Sequence, residues 1–268
     1  MAHAREFYRE RREPVTPRRA ATVVLLRDTP EGLQAYVIRR AASMAFASGM
    51  HAFPGGSVDP RDAQRDIGWV GPTPAAWAAR LGLEDEAAAR AMVCAAVRET
   101  FEESGVLLAG ADRDTVVGDV SGPDWEAARQ ALVRRELGFA DFLAERDLLL
   151  RSDLLAAWGR WITPEFEPRR YDTCFFIAGL PAAQRTRDVS GEADSVAWVR
   201  PADAVARHAA GGIAMLPPTV TTLRELAAHP TVAAALRASA GRDLTPITPR
   251  VRFTEDGAVL EVDLPSSA

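Results

Sequence analysis

The chain has 268 residues, 47% of them hydrophobic and 26% charged, the proportions of an ordinary water-soluble globule. A formal net charge of −5 argues against nucleic-acid binding through a basic surface. No run of residues is long and apolar enough to cross a membrane, and the arginine-rich N-terminus lacks the apolar stretch of a secretion signal.

All 32 basic residues are arginine, and Cys94 and Cys174 are the two cysteines. Both stand in apolar contexts that suit buried free thiols in a reducing compartment, so a cytoplasmic location is expected. Residues 1–17 are charged and proline-flanked and are expected as a flexible arm. Ala20–Leu26 and Leu33–Arg39 read as strands joined by the turn-rich Asp28–Gly32. Arg40–His51 reads as a long loop that approaches the turn Pro54-Gly55-Gly56. From Ala63 to Leu83 the prolines, glycines and Trp77 suggest a lid or platform with a short helix after Thr73. Leu83–Ser104 reads as one long helix, and Asp124–Glu136 and Phe139–Leu143 as further helices. Ser152–Trp158 is expected as a helical turn, and Thr173–Ala178 and Ser195–Val199 as strands. Pro201–His208, Thr219–His229 and Thr231–Ala240 read as helices, and Arg250–Thr254 with Ala258–Asp263 as a closing hairpin. The fold class this predicts is α/β (α+β), a mixed α/β sandwich.

The most informative stretch runs from Ala95 to Val106. Glu99, Glu102 and Glu103 stand at i, i+3 and i+4 and share one face of a helix that Gly105 ends. Like charges at this spacing oppose each other by about 0.2–0.5 kcal/mol per pair, and the negative end of the helix dipole adds about 0.3–1 kcal/mol against each. A divalent cation offsets both effects, and oxygen-only ligands select a hard ion such as Mg²⁺ or Mn²⁺. Pro54-Gly55-Gly56 upstream lets the backbone approach a ligand closely. Arg98 can reach Glu102 at i+4.

Together the Pro-Gly-Gly turn and Arg98-Glu99-Thr100-Phe101-Glu102-Glu103-Ser104-Gly105-Val106 resemble the Nudix box. In that pattern a glycine is followed by five residues, a glutamate, seven residues, and then Arg-Glu-aliphatic-x-Glu-Glu-x-Gly-aliphatic. Here Asp62 stands at the first acidic position, 35 residues separate it from Arg98, and Thr100 replaces the aliphatic residue. An interrupted box of this kind resembles the Nudix subfamily of peroxisomal coenzyme A diphosphatases and their bacterial relatives. Arg39-Arg40-Ala41, Trp161-Ile162-Thr163-Pro164, Arg169–Thr173 and Leu216–Thr219 resemble the same subfamily.

The resemblance implies a Nudix-type α/β/α sandwich with a mixed central sheet over residues 18–268. A helical insertion inside the box at about 63–90 and extra C-terminal helices from about 201 would enlarge it. It also implies metal-dependent hydrolysis of a nucleoside diphosphate-linked substrate, with coenzyme A or acyl-coenzyme A foremost. ADP-ribose, NADH or a dinucleoside polyphosphate is the alternative, and a non-catalytic nucleotide-binding module the second. Glu99, Glu102, Glu103 and the backbone carbonyl of Gly56 are the expected metal ligands. Glu102, Glu103 or Glu192 is the expected base, and Arg98 orients the glutamates. Arg39, Arg40, Arg169 and Arg170 are expected on the phosphates, and Phe53 against the base. The insertion is expected to cover the acyl or pantetheine end of the substrate. The implied partner is a small-molecule nucleotide, with no nucleic acid and no membrane, and a homodimer stays open.

Overall fold

The computed structural model describes residues 2–41, 47–64, 66–188, 191, 193–254 and 257–264. Helix α1 (Ala2–Glu10) precedes strands β1 (Arg18–Thr29) and β2 (Gly32–Arg40). Short strands β3 (His51–Ala52) and β4 (Gly55–Ser57) lead into a 3-10 turn at Pro60–Ala63. Next come β5 (Trp69–Val70), α2 (Pro74–Leu81), α3 (Glu86–Ser104) and β6 (Ala109–Gly110). Helices α4 (Pro123–Val133) and α5 (Phe139–Ala144) precede β7 (Leu149–Arg151). A 3-10 turn at Ser152–Leu154 opens onto β8 (Ala156–Ile162), β9 (Tyr171–Gly179) and β10 (Ala193–Val199). Helices α6 (Pro201–Ala209), α7 (Pro217–Leu226) and α8 (Val232–Ser239) precede the hairpin β11 (Arg250–Thr254) and β12 (Gly257–Glu261).

The central sheet runs β10-β2-β1-β9-β8, with β3 added to β2 and β4 to β1. Only the β1–β9 pair is parallel among its pairings, so the sheet is mixed, as expected. The alternation along β1 sorts two cores onto opposite faces. Ala21, Val23 and Leu25 join the apolar faces of α2 and α3 on one side. Val24 and Leu26 join Leu223 and Leu226 of α7 and Ala235 of α8 on the other. An α/β/α sandwich results.

Helix α3 carries the carboxylate turn. Its start is capped by Asp85, whose carboxylate accepts from the Ala88 amide at 2.8 Å, which is why the helix begins at Glu86 rather than at Leu83. Gly105 ends it with φ of 71°, a left-handed conformation that suits glycine. Thr100, the polar residue at an aliphatic box position, is fully buried but satisfied, because its hydroxyl donates to Ala96 O at 2.7 Å.

Two expectations are corrected. Ser152–Trp158 is not one helical turn: the 3-10 turn stops at Leu154, and Ala156 enters β8, paired along β9. Nor are residues 1–17 all a loose arm. Ala2–Glu10 is helical, with Ala4 fully buried and Tyr8 packed between Phe166 and Phe253 at ring-centroid distances of 6.5 and 6.0 Å. Distant aromatics supply the apolar partner that the arm lacks locally.

The box insertion is built into the body. Thr73 caps α2, Gly82 ends it with φ of 61°, and its buried face carries Trp77, Ala78 and Leu81. Trp77 meets Phe176 edge-on at 5.7 Å. Among the described residues, no helix is long and apolar enough to cross a membrane.

Candidate active site

The turn of α3 from Arg98 to Glu103 faces β4. Arg98 is the hub, with its side chain only 11% exposed. Its Nε and Nη2 grip Asp62 as a fork, at 3.0 and 2.9 Å. Nη1 donates to Glu99 at 2.7 Å and to Glu102 at 3.2 Å, and Nη2 also reaches Ser57 O at 3.0 Å. All five guanidinium protons are therefore committed. Asp62 is buried and in turn accepts from the Asp59 amide at 2.8 Å, within a capping box that shapes the Pro60–Ala63 turn. The acidic residue that opens the interrupted box thus meets the arginine that resumes it, across the whole insertion.

Glycine is required beside this turn. A Cβ on Gly56 would lie 2.6 Å from the Glu99 carboxylate atoms, and one on Gly55 would lie 2.7 Å from Thr22 Oγ1. The Gly55 amide donates to Glu103 at 2.9 Å. Burial pushes Glu99 up to about 7 against the pull of Arg98, with Glu102 and Asp62 pushing the same way. Burial raises Glu102 as well.

The three glutamates do not converge as a finished cage. Among the described residues, no three acidic, histidine or cysteine side chains are grouped as a metal site. Helical spacing puts the carboxylates on one face, but Arg98 holds Glu99 and Glu102 while Gly55 holds Glu103. The donor set nevertheless fits a hard divalent cation. Asp62, Glu99, Glu102 and Glu103 supply four carboxylates against the single guanidinium of Arg98, and every donor is an oxygen. Carboxylates held high by burial mark negative charge that a cation would relieve.

These residues form one wall of a cavity of about 870 Å³. Of the arginines expected on phosphate, Arg40 lines it. Arg39 and Arg169 are exposed and lie outside the lining. Arg170 is buried elsewhere, donating to Thr163 O at 3.0 Å and Val15 O at 2.9 Å, so it fastens the N-terminal segment to the sheet. Phe53 lines the cavity while also packing in the second core. Glu192 lies outside the described residues, and its neighbour Gly191 lines the cavity. No described residue between 63 and 97 lines it, so the insertion does not cover the site as expected.

Four lining arginines were missed: Arg61, Arg129, Arg134 and Arg135. Arg129 is buried, forks onto Glu126 at 3.0 and 2.6 Å, and donates to Glu102 O at 2.5 Å. It therefore caps the negative end of α3 directly behind the carboxylates. A signal was present: Glu126 and Arg129 stand at i, i+3 beside buried Ala128 and Leu132.

Glu126 is held down to about 2, first by the Arg129 hydrogen bonds and then by Gln130 and Arg187, against an opposing push from burial. A depressed carboxylate adds stability above its ordinary value of 4.5 and loses it as pH falls through its folded value. Glu126→Gln should therefore cost about 1–2 kcal/mol at neutral pH, a figure reduced for solvent screening. The gap should shrink as pH falls from 4.5 toward 2, which chemical denaturation across that range checks.

The model of the NUDT19 Nudix domain matches residues 80–226. Among curated proteins, acyl-coenzyme A diphosphatase NUDT19 of Xenopus laevis is 27% identical over 225 residues, covering 71% of this chain and 58% of that protein. The Homo sapiens protein of the same name is 27% identical over 270 residues, covering 85% of this chain and 70% of that one. This chain thus spans somewhat over half the length of the frog relative. The crystal structure of a NUDIX hydrolase from Alicyclobacillus acidocaldarius superposes with a TM-score of 0.68 at 29% identity, over 83% of this chain and 96% of that one. With more than half of the chain matched by the family model and the box closed by Arg98 and Asp62, the chain belongs to the Nudix hydrolases, in the family of the NUDT19 Nudix domain.

Proposed function

We propose that this protein is a divalent-metal-dependent diphosphatase that cuts coenzyme A or acyl-coenzyme A into adenosine 3′,5′-bisphosphate and (acyl-)phosphopantetheine. The observation that carries this reading is the carboxylate turn of α3, organised by Arg98 and opening into a cavity of about 870 Å³. The substrate class follows the names of the relatives. Hydrolases of this family generally use divalent metal ions, and the all-oxygen donor set favours Mg²⁺ or Mn²⁺.

Glu99, Glu102, Glu103 and the Gly56 carbonyl hold the metal in this reading. Bound there, a divalent ion offsets charge on the diphosphate oxygens and makes water more acidic. The chain's own part is positioning. The Gly55 amide fixes Glu103, Arg98 fixes Glu99 and Glu102, and Arg129 anchors the backbone of the same turn. Glu102, Glu103 or Glu192 takes the proton from the water that attacks one phosphorus, and the bridging P–O bond breaks. The position of Gly191 in the cavity lining supports Glu192. Arg40 meets the phosphates. Arg98, with every donor committed, is a positioning residue.

Gly56→Ala tests the close approach of β4 to Glu99. The added methyl forces the Glu99 carboxylate off Arg98, so turnover should fall by at least about tenfold, with a higher metal requirement and a loss of about 1–2 kcal/mol in stability. Unaltered metal titration curves would contradict it. The function is tested by a panel of coenzyme A, acetyl-coenzyme A, ADP-ribose, NADH and diadenosine polyphosphates, each with Mg²⁺, Mn²⁺ or chelator. Metal-dependent cleavage of the coenzyme A compounds supports the reading. Preference for another member overturns the substrate, and tight binding without turnover overturns catalysis.

A further inference from the structure

The cavity has chemically different ends on either side of the carboxylate turn. Its floor can be followed strand by strand. Ser57 of β4 stands beside Ala20 of β1, Ala20 beside Thr173 of β9, and Thr173 beside Trp161 of β8. All four line the cavity. At about 4.8 Å per strand the row leads about 14 Å away from β4.

Beyond Trp161 the wall comes from three separate segments: His3 of α1, Phe166 of the loop between β8 and β9, and Leu260 of β12. The His3 ring lies 5.4 Å from Phe166, and its Nε2 lies 3.4 Å from Glu167. Arg5 donates to Gly257 O at 2.8 Å and its guanidinium stands 5.2 Å over Phe253, so α1 holds the hairpin against this end. Around Trp161, Phe166 and Leu260 no arginine lines the cavity among the described residues, while Glu167 does.

The opposite end carries arginines beside the apolar Leu132, Val133, Leu137 and Phe139, with Arg61 forked onto Asp59 and Arg134 paired with Glu136. Helix α4 and the turn after it bring Arg129, Arg134 and Arg135 to the lining, and Arg61 joins them by donating to Arg135 O at 3.2 Å. Arg129 touches the backbone of Glu102, so this cluster adjoins the carboxylates. A coenzyme A thioester has the matching asymmetry of charge. Its adenosine end carries an extra phosphate, its centre is the diphosphate, and its acyl end is apolar.

We propose that the substrate lies in this single direction. The phosphorylated adenosine sits against Arg61, Arg134 and Arg135, and the acyl chain lies along Trp161, Phe166 and Leu260. Helix α1 and the β11–β12 hairpin then set which acyl lengths are admitted. This inference rests on the coenzyme A reading of the site.

The test uses the full chain and two specificity ratios of kcat/KM: coenzyme A over its form lacking the 3′-phosphate, and decanoyl- over acetyl-coenzyme A. Arg135→Asn keeps a residue that tolerates the left-handed backbone there, with φ of 58°. It should lower the first ratio at least about fivefold and leave the second within about twofold, since a lost phosphate contact acts locally. Leu260→Glu should do the reverse, lowering the decanoyl preference at least about tenfold, because a charge is placed against an apolar chain. Leu260→Thr, with better strand propensity, serves if the charged variant melts early. Ratios that move together, or that do not move in folded variants, overturn the orientation while leaving the diphosphatase reading intact. Failure of the parent protein to cleave any coenzyme A compound overturns both.

Discussion

Glu103→Gln should abolish turnover while leaving the fold intact. The amide oxygen can still accept from Gly55, as the carboxylate does at 2.9 Å, so local geometry has a replacement partner. The negative charge is lost. A group that holds the cation, or takes the proton from water, supplies several kcal/mol of transition-state stabilisation. A fall in kcat of about 10³-fold or more, about 4 kcal/mol, is expected with a melting temperature within a few degrees of the parent. Steady-state kinetics beside a thermal melt checks both halves. Surviving activity would remove Glu103 from the chemistry.

Arg98→Ala should have the largest effect on stability. It strips a buried fork from Asp62 and leaves Glu99 and Glu102 without their countercharge. Removing one partner of a buried ion network costs about 3–5 kcal/mol, because the charges left behind stay desolvated. Arg98→Lys keeps a charge but not the fork, so it should recover only part of the loss. Asp62→Ala alone should also destabilise. The double variant should fall short of the sum by at least about 1 kcal/mol, since the two residues share one interaction. Urea unfolding of the four proteins closes the cycle. Additivity would mean that Asp62 and Arg98 do not act as the two halves of one box.

The features legible in the sequence were those that depend on local spacing. The 3.6-residue period places Glu99, Glu102 and Glu103 on one face, and Gly105 at its end. The face is there, but side-chain torsions are not periodic quantities. Only the structure shows Glu103 turned to Gly55 while Glu99 and Glu102 turn to Arg98. Several strands of the central sheet are similarly legible, whereas β8 is hidden in part because Ser152–Leu154 does begin as a turn.

What stayed hidden depends on partners far away in sequence. Helix α1 looks like a charged arm until Phe166 and Phe253 pack on Tyr8. Arg170 sits beside a promising motif, yet its buried guanidinium answers two backbone carbonyls instead of phosphate. The insertion carries proline and glycine like a lid, but Trp77 anchors it on Phe176, away from the cavity. Conversely, the arginines of α4 reach the cavity only because that helix packs behind the end of α3.

Scission at the diphosphate is the reaction proposed for this protein. It is tested most directly by incubating the protein with an acyl-coenzyme A and Mg²⁺ or Mn²⁺ in ¹⁸O-labelled water and weighing the products. The prediction is adenosine 3′,5′-bisphosphate and acyl-phosphopantetheine in equal amounts, with one labelled oxygen on one phosphate and the thioester intact. Free coenzyme A with a labelled fatty acid, or an unchanged substrate, would contradict it.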